Sequence, residues 1–366
     1  LALYVNLTNT KEEVEHMKAF VMRRIGEVGF MEKEKPTCGP NDAVVRATRG
    51  LVCTSDVHTV AGAIGERVNL TLGHEAVGIV EEVGSEVKLF KPGDRVCVGA
   101  ITPIWGSDAA QRGYPSQSGQ ALGGWMYANV KDGTFAEYFH VNEADANMAL
   151  IPDDISDDAA VYCTDMMSTG FAGAENANIP LGGTVAIFAQ GPVGLMATAG
   201  ARMLGAGLII AVESDPKRQE LSRFYGADVI VDFTKENPVE KIMELTDGQG
   251  VDSAVEALGA DITFQQAVKV TRPGGTVSNI GYHGSGEFVH IPRLDWGVGM
   301  ANITIVTDLC PGGRVRMERM LCLVKTKRVD PTRLTTHTFS FDEVDKAFEM
   351  MKNKTDNIIK PLIVFS

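Results

Sequence analysis

Hydrophobic and polar positions alternate in two different ways along this chain. From residue 17 to about residue 165, runs such as AVVRATRG, HEAVGIVEEVG and KPGDRVCVG are short, β-rich and broken by Gly and Pro, with a Pro-Gly-Asp turn in the last. They predict strands of an irregular, mostly antiparallel β unit that opens at MKAFVM. From about residue 184 the texture changes. TVAIFA, LIIAVE, VIVDF, VDSAVEA and TVSNI predict strands, and PVGLMATAGARMLG and DPKRQELSRFYG predict helices between them. Strands alternating with helices imply parallel βαβ units, and their right-handed crossovers give a doubly wound sheet. The tail, FSFDEVDKAFEMMKN followed by IIKPLIVF, reads as a capped helix and a strand that return to the first unit. The expected fold class is therefore α/β. Residues 17–168 and 310–366 make the β unit, 169–309 the doubly wound unit, and 1–16 an extension to which no role is assigned.

Composition narrows the function. With 366 residues, 44% hydrophobic and 22% charged, the chain can bury a large core without disulfides. A net charge of −13 argues against a nucleic acid or an anionic membrane as partner, since both need a basic face. The six cysteines (38, 53, 97, 163, 310 and 322) form no CxxC and are too sparse for a disulfide scaffold, which points to a reducing compartment. No run approaches the ~18 apolar residues of a spanning helix. The first sixteen residues lack the basic and apolar regions of a signal peptide, and the C-terminal VFS is not the peroxisomal signal, so the default expectation is cytoplasmic.

The sequence AQGPVG, residues 189–194, follows a predicted strand and opens a predicted helix. In a dinucleotide-binding GxGxxG turn, Gly191 lets a pyrophosphate approach the backbone and Gly194 lets helix and strand pack closely. Ala189 replaces the first glycine and is expected to keep a negative φ. With Pro192 and Val193 these residues form the candidate phosphate cradle at a helix N-terminus, where free N–H groups favour anions; taken alone, the stretch reads equally as an ordinary tight strand–helix turn. Glu213 ends the second strand 19 residues after Gly194, near the ~20 expected for the acid that accepts from a ribose 2′-hydroxyl. A carboxylate there favours NAD and repels the extra phosphate of NADP. Lys217 and Arg218 follow; they either soften that repulsion, leaving room for NADP, or sit on a solvated helix face.

Candidate metal ligands are Cys53 in CTSDVH, His74 and Glu75 in GHEAVG, and Asp165 in YCTDMMSTG. A thiolate, an imidazole and a carboxylate meet the need of a catalytic zinc for three protein ligands and one open position. Separations of 21 residues (53 to 74) and 91 residues (74 to 165) are no signature by themselves. Taken singly, Cys53 reads equally as a small buried residue and His74 as a satisfied core histidine.

CTSDVH, GHEAVG, KPGDRV, TDMMSTG and GPVG occur in the order found in the zinc-dependent medium-chain alcohol dehydrogenases, and the chain resembles that family from Met17 to its end. LCPGGR (309–314), YHGSG (282–286), TPIW (102–105) and GGW (123–125) look most like its microbial secondary-alcohol members. The resemblance implies a GroES-like catalytic domain joined to a Rossmann domain, with Cys53, His74 and Asp165 as ligands of one catalytic zinc. Glu75 resembles a residue that either approaches the metal as an alternative ligand or supports it from behind. Relatives with a second, structural zinc carry four closely spaced cysteines; residues 97–125 hold only Cys97, so one zinc per chain is expected.

The implied reaction moves hydride between a small secondary alcohol or its ketone and a nicotinamide. Ser55 and His58 match a proton relay from substrate to solvent; the alternative makes Ser55 a turn residue and His58 a surface one. Ser55, two residues after Cys53 in what reads as an extended segment, is expected on the same face. Asp56 is expected to orient His74 and fix its tautomer; a helix N-cap or turn role is the alternative. Ala100, Ile101, Trp125, Tyr282, Leu309 and Cys310 match the substrate pocket, or else are ordinary core. The resemblance also implies a homotetramer. Rival readings are a zinc polyol or threonine dehydrogenase of the same superfamily, a zinc-free nicotinamide-dependent reductase, and a binding protein without turnover.

Overall fold

The computed structural model describes residues 14–284 and 286–366. Most of the expected extension, and Ser285 of YHGSG, therefore lie outside the described residues, while His16 already belongs to the first strand, His16–Arg24.

The doubly wound unit is a six-stranded, all-parallel sheet. Its spatial order is Val229–Val231, Leu208–Val212, Thr184–Phe188, Val251–Glu256, Thr271–Asn279, Thr304–Thr307. In chain order that is 3-2-1-4-5-6, which places a crevice where the connections reverse direction beside Thr184–Phe188. The strands read as continuous apolar runs because both faces are covered. Ala186, Phe188, Ile210 and Val212 pack with Ile242, Phe264 and Ala267 on one face. Val185, Ile187, Ile209 and Ala211 pack with Ala174, Ala197 and Ala201 on the other.

Local signals set the helix ends. Asp215 caps Pro216–Tyr225 by accepting from the Arg218 N–H, and Gly226 closes that helix in the left-handed region. Ser340 and Glu343 form a capping box ahead of Val344–Asn353.

The other unit holds a sheet ordered Thr335–Ser340, Lys360–Val364, Ala43–Leu51, Ala76–Val83, Arg95–Val98, Met148–Leu150, with Tyr138–Val141 also paired to Ala43–Leu51. A three-stranded sheet orders Glu27–Glu34, His16–Arg24 and Leu70–Thr71. Among the described strands of the unit every strand-to-strand pairing is antiparallel except Thr335–Ser340 with Lys360–Val364. The strand Lys360–Val364 pairs with Ala43–Leu51, Leu362 opposite Leu51, so the end of the chain lies beside Cys53. Among the described residues no helix is long and apolar enough to cross a membrane.

Candidate metal and dinucleotide site

Cys53 follows the strand Ala43–Leu51 and precedes a helix, Thr54–Val60. The expected extended segment is thus helical. The cause is Asp56, whose Oδ2 accepts from the Cys53 N–H at 2.9 Å and so starts the helix. Its Oδ1 accepts from the Gly73 N–H at 3.1 Å and lies 3.3 Å from His74 Nδ1. The N-cap of this helix is Cys53 and Asp56 is its N3 residue, so Asp56 is not the N-cap; one buried carboxylate closes the first turn as half of a capping box and also lies against the imidazole. Ser55 and Cys53 do not share a face as two residues of a strand would, yet Ser55 Oγ reaches His74 Nε2 at 3.2 Å.

His74 Nε2 also lies 3.5 Å from Asp165 Oδ2 and 3.8 Å from Glu75 Oε1. Donor atoms of Cys53, His74, Glu75 and Asp165 all fall within 4.8 Å of one another, the one such cluster among the described residues. Asp165 immediately precedes the helix Met166–Asn176 and accepts from Thr169 Oγ1 at 2.5 Å.

The electrostatics draw positive charge to this point. Burial raises the Asp165 carboxyl, but the hydrogen bond and charge of His74 outweigh it and bring it down to about 2. Burial also raises the Cys53 thiol, and Lys360 and His74 bring it down to about 7. Burial lowers His74, but Asp56, Asp165 and Cys53 hold it well above its ordinary value. Glu75 is fully buried and its Oε2 has no hydrogen-bond partner among the described residues. A thiol, an imidazole and a carboxylate around one point, a second carboxyl with an orphaned oxygen as a fourth donor, and a histidine braced from behind by Asp56 fit a zinc ion.

The dinucleotide turn lies in the same cavity. Pro192 opens the helix Pro192–Met203 with Gly191 as its N-cap, which leaves the first N–H groups free for an anion. Ala189 does not keep a negative φ: it stands at +69°. A left-handed alanine costs about 1–2 kcal/mol. The Ala189 N–H bonds to Val212 O at 3.2 Å, and a side chain at Gly194 would meet Ala189 O at 2.0 Å, so glycine there makes room for the strained turn.

Glu213 directly follows the strand Leu208–Val212 and is nearly buried. Its Oε2 accepts from the Gln190 N–H at 3.1 Å, and Oε1 from the Ser214 and Asp215 N–H groups at 2.8 and 3.0 Å. Arg218 Nη1 lies 3.9 Å from Glu213 and lines the cavity, whereas Lys217 is exposed on the helix.

Comparison with known proteins agrees with both halves. Residues 39–153 match the family model for an alcohol dehydrogenase GroES-like domain, and 192–325 that for a zinc-binding dehydrogenase. The NADP-dependent isopropanol dehydrogenase of Thermoanaerobacter brockii is 56% identical over 96% of this chain and 100% of its own. This chain belongs to the zinc-binding alcohol dehydrogenase family. The NADP-dependent isopropanol dehydrogenase of Clostridium beijerinckii is 49% identical over 95% of this chain and all of its own. Among solved structures, zinc-dependent alcohol dehydrogenase 2 from Streptococcus pneumonia superposes with a TM-score of 0.87 at 32% identity, covering 96% of this chain and 99% of that one. As in that family, the fold joins a GroES-like β unit to a Rossmann sheet.

All six expected pocket residues line one cavity of about 1090 Å³ together with Cys53, Ser55, His58, His74, Asp165, Ala189 and Gly191–Val193. Of the six, Ala100, Ile101 and Cys310 are buried and Tyr282 is 40% exposed. His58 lies against the Tyr282 ring, centroids 5.9 Å apart. Its pKa is pushed below the ordinary value by burial and by the nearby Lys354 ammonium.

Two cationic residues were missed by sequence reasoning. Lys360 Nζ donates to Glu75 Oε1 at 2.6 Å, both side chains sealed from solvent. Lys354 Nζ donates to Thr54 Oγ1 at 2.9 Å and also lines the cavity. The available signal for Lys360 was a lone charge inside the apolar run IIKPLIVF.

Proposed function

We propose that this protein transfers hydride between small secondary alcohols or their ketones and a nicotinamide dinucleotide, with NAD preferred, using one zinc per chain held by Cys53, His74 and Asp165. The observation that carries the reading is the convergence of four donor atoms within 4.8 Å in a cavity that also receives the dinucleotide turn. Zinc supplies Lewis acidity, which favours ionisation of an alcohol and polarisation of a ketone. Glu75, held by Lys360, keeps one free carboxylate oxygen beside these donors.

The chain's own groups manage the proton and the fit. Ser55 Oγ would accept the substrate hydroxyl proton as it hands on its own toward His58, and His58, at the cavity rim, would take up that proton and release one to solvent. The free N–H groups ahead of Pro192–Met203 hold the pyrophosphate. Ala100, Ile101, Trp125, Leu309, Cys310 and Tyr282 shape an apolar site for the two carbinol substituents. Asp56 keeps His74 in the tautomer that leaves Nε2 free.

NAD preference rests on this chain's own carboxylates, against relatives named for NADP. Glu213 and Asp215 lie within two residues of each other just after the second Rossmann strand, where the ribose is expected, and their negative charge disfavours a 2′-phosphate there. Arg218 offsets part of it, so NADP is used more weakly. We further propose that the domain division falls near residues 168 and 309, that the protein acts in the cytoplasm, and that it assembles as a homotetramer. Support for assembly is the edge strand Thr304–Thr307, with no partner strand on one side among the described residues, and the exposed Leu294 and Met300 that precede it in the chain. The test is turnover of 2-propanol, 2-butanol, sorbitol and threonine with NAD and with NADP; a preference for the polyol or the amino acid would overturn the substrate class.

A further inference from the structure

The helix Met166–Asn176 begins directly after Asp165 and does more than present that carboxylate. Ser168 Oγ donates to Pro311 O at 2.6 Å, and Asn176 Nδ2 donates to Asp308 Oδ2 at 3.1 Å. The wall formed by Leu309 and Cys310 is thus hung at both ends from one helix. Ser116 Oγ steadies its middle by donating to Cys310 O at 3.1 Å. Arg316 braces the arrangement: its Nε and Nη2 bond Ser168 Oγ and O at 3.1 and 2.7 Å, and its Nη1 bonds both oxygens of Glu175 at 2.9 Å. Ser168 and Glu175 lie seven residues apart on one helix face, so a single guanidinium spans two turns.

Beyond the wall, a side chain at Gly312 would meet Ile101 O at 1.9 Å. The wall therefore already abuts the Ile101 backbone. Released from the helix, it has no room to move closer to Ile101.

We infer that Ser168, Asn176 and Arg316 are positioning residues that fix the Leu309–Cys310 wall relative to Asp165, and thereby set the choice between small and bulky secondary alcohols. The inference rests on the secondary-alcohol reading above. None of the three belongs to the cluster of donor atoms, and of the three only Asn176 also lines the cavity. Their influence runs through the position of the wall.

The experiment compares wild type with Ser168→Ala, Arg316→Ala, Arg316→Lys and Asn176→Ala on 2-propanol and 3-pentanol with NAD, with a melting temperature for each. Ser168→Ala and Arg316→Ala are expected to raise KM for 2-propanol more than they lower kcat. They should also cut the 2-propanol over 3-pentanol ratio of kcat/KM about fivefold or more, within the range that pocket geometry commands. Arg316→Lys should recover part of the ratio, because one ammonium keeps the Glu175 pair but cannot fork onto Ser168. A ratio unchanged in every variant, with only the melting temperature lowered, overturns the inference. If the buried Ser168→Ala protein fails to fold, the half-exposed Asn176→Ala carries the test. A wild type that oxidises neither alcohol removes the functional reading itself; an active wild type with unmoved ratios removes only this inference.

Discussion

Lys360 and Glu75 form an ion pair at 2.6 Å that solvent does not reach. Burial alone lowers the Lys360 ammonium, but Cys53, Glu75 and Asp165 raise it above its ordinary value, so it stays charged across the neutral range. Removing one partner strands the other charge. Lys360→Met is expected to destabilise the protein by about 3–5 kcal/mol, and Lys360→Met with Glu75→Leu to recover much of that loss. Chemical denaturation of the two variants checks it. Equal stability of the single variant and wild type would mean that the pair carries no net weight.

That pair also shows where sequence reading stops. Cys53, His74 and Asp165 were legible because each sits in a short motif whose order along the chain is distinctive. The parallel sheet was legible because its strands are apolar on both faces and capped helices alternate with them. Lys360 is 285 residues from Glu75, and a lone lysine in an apolar strand carries no sign of its partner. The helix at Thr54–Val60 was hidden for a related reason: its first turn is built by Asp56, a residue read mainly as a support for His74. Ala189 misled because a left-handed alanine is locally unfavourable and is tolerated only where Gly194 opens space for its carbonyl.

Asp56 joins Cys53, Gly73 and His74 through one carboxylate. Asp56→Ala should weaken zinc binding about 10–100-fold, the usual effect of removing a carboxylate behind a metal-binding histidine. A competition titration against a chromophoric chelator measures this. Unchanged affinity would remove Asp56 from the metal site's support.

His58 is depressed below its ordinary 6.5 by burial first and by Lys354 second. Alcohol oxidation needs the neutral imidazole to accept a proton, so kcat/KM should stay level from the alkaline side and fall only below that ordinary value. Lys354→Met removes one depressing charge, and the acid limb should move upward. His58→Gln should flatten that limb. A pH profile of oxidation in which neither variant shifts the limb would take His58 out of the relay.

Glu213 stands at the end of the second Rossmann strand with three backbone N–H groups bonded to it. Glu213→Gly removes its charge, and the NADP over NAD ratio of kcat/KM should rise about tenfold or more, a change worth about 1.4 kcal/mol. If the ratio stays level, the cofactor is chosen elsewhere in the cavity.

The most direct test of the whole account is to strip the metal with a chelator, then follow 2-propanol oxidation and tightly bound zinc together as zinc is returned to wild type and to Asp165→Ala. The account predicts that wild type regains activity in step with one zinc per chain, and that Asp165→Ala holds little zinc and stays nearly inactive. Full turnover by zinc-free wild type, or an Asp165→Ala protein that keeps both metal and activity, would contradict it.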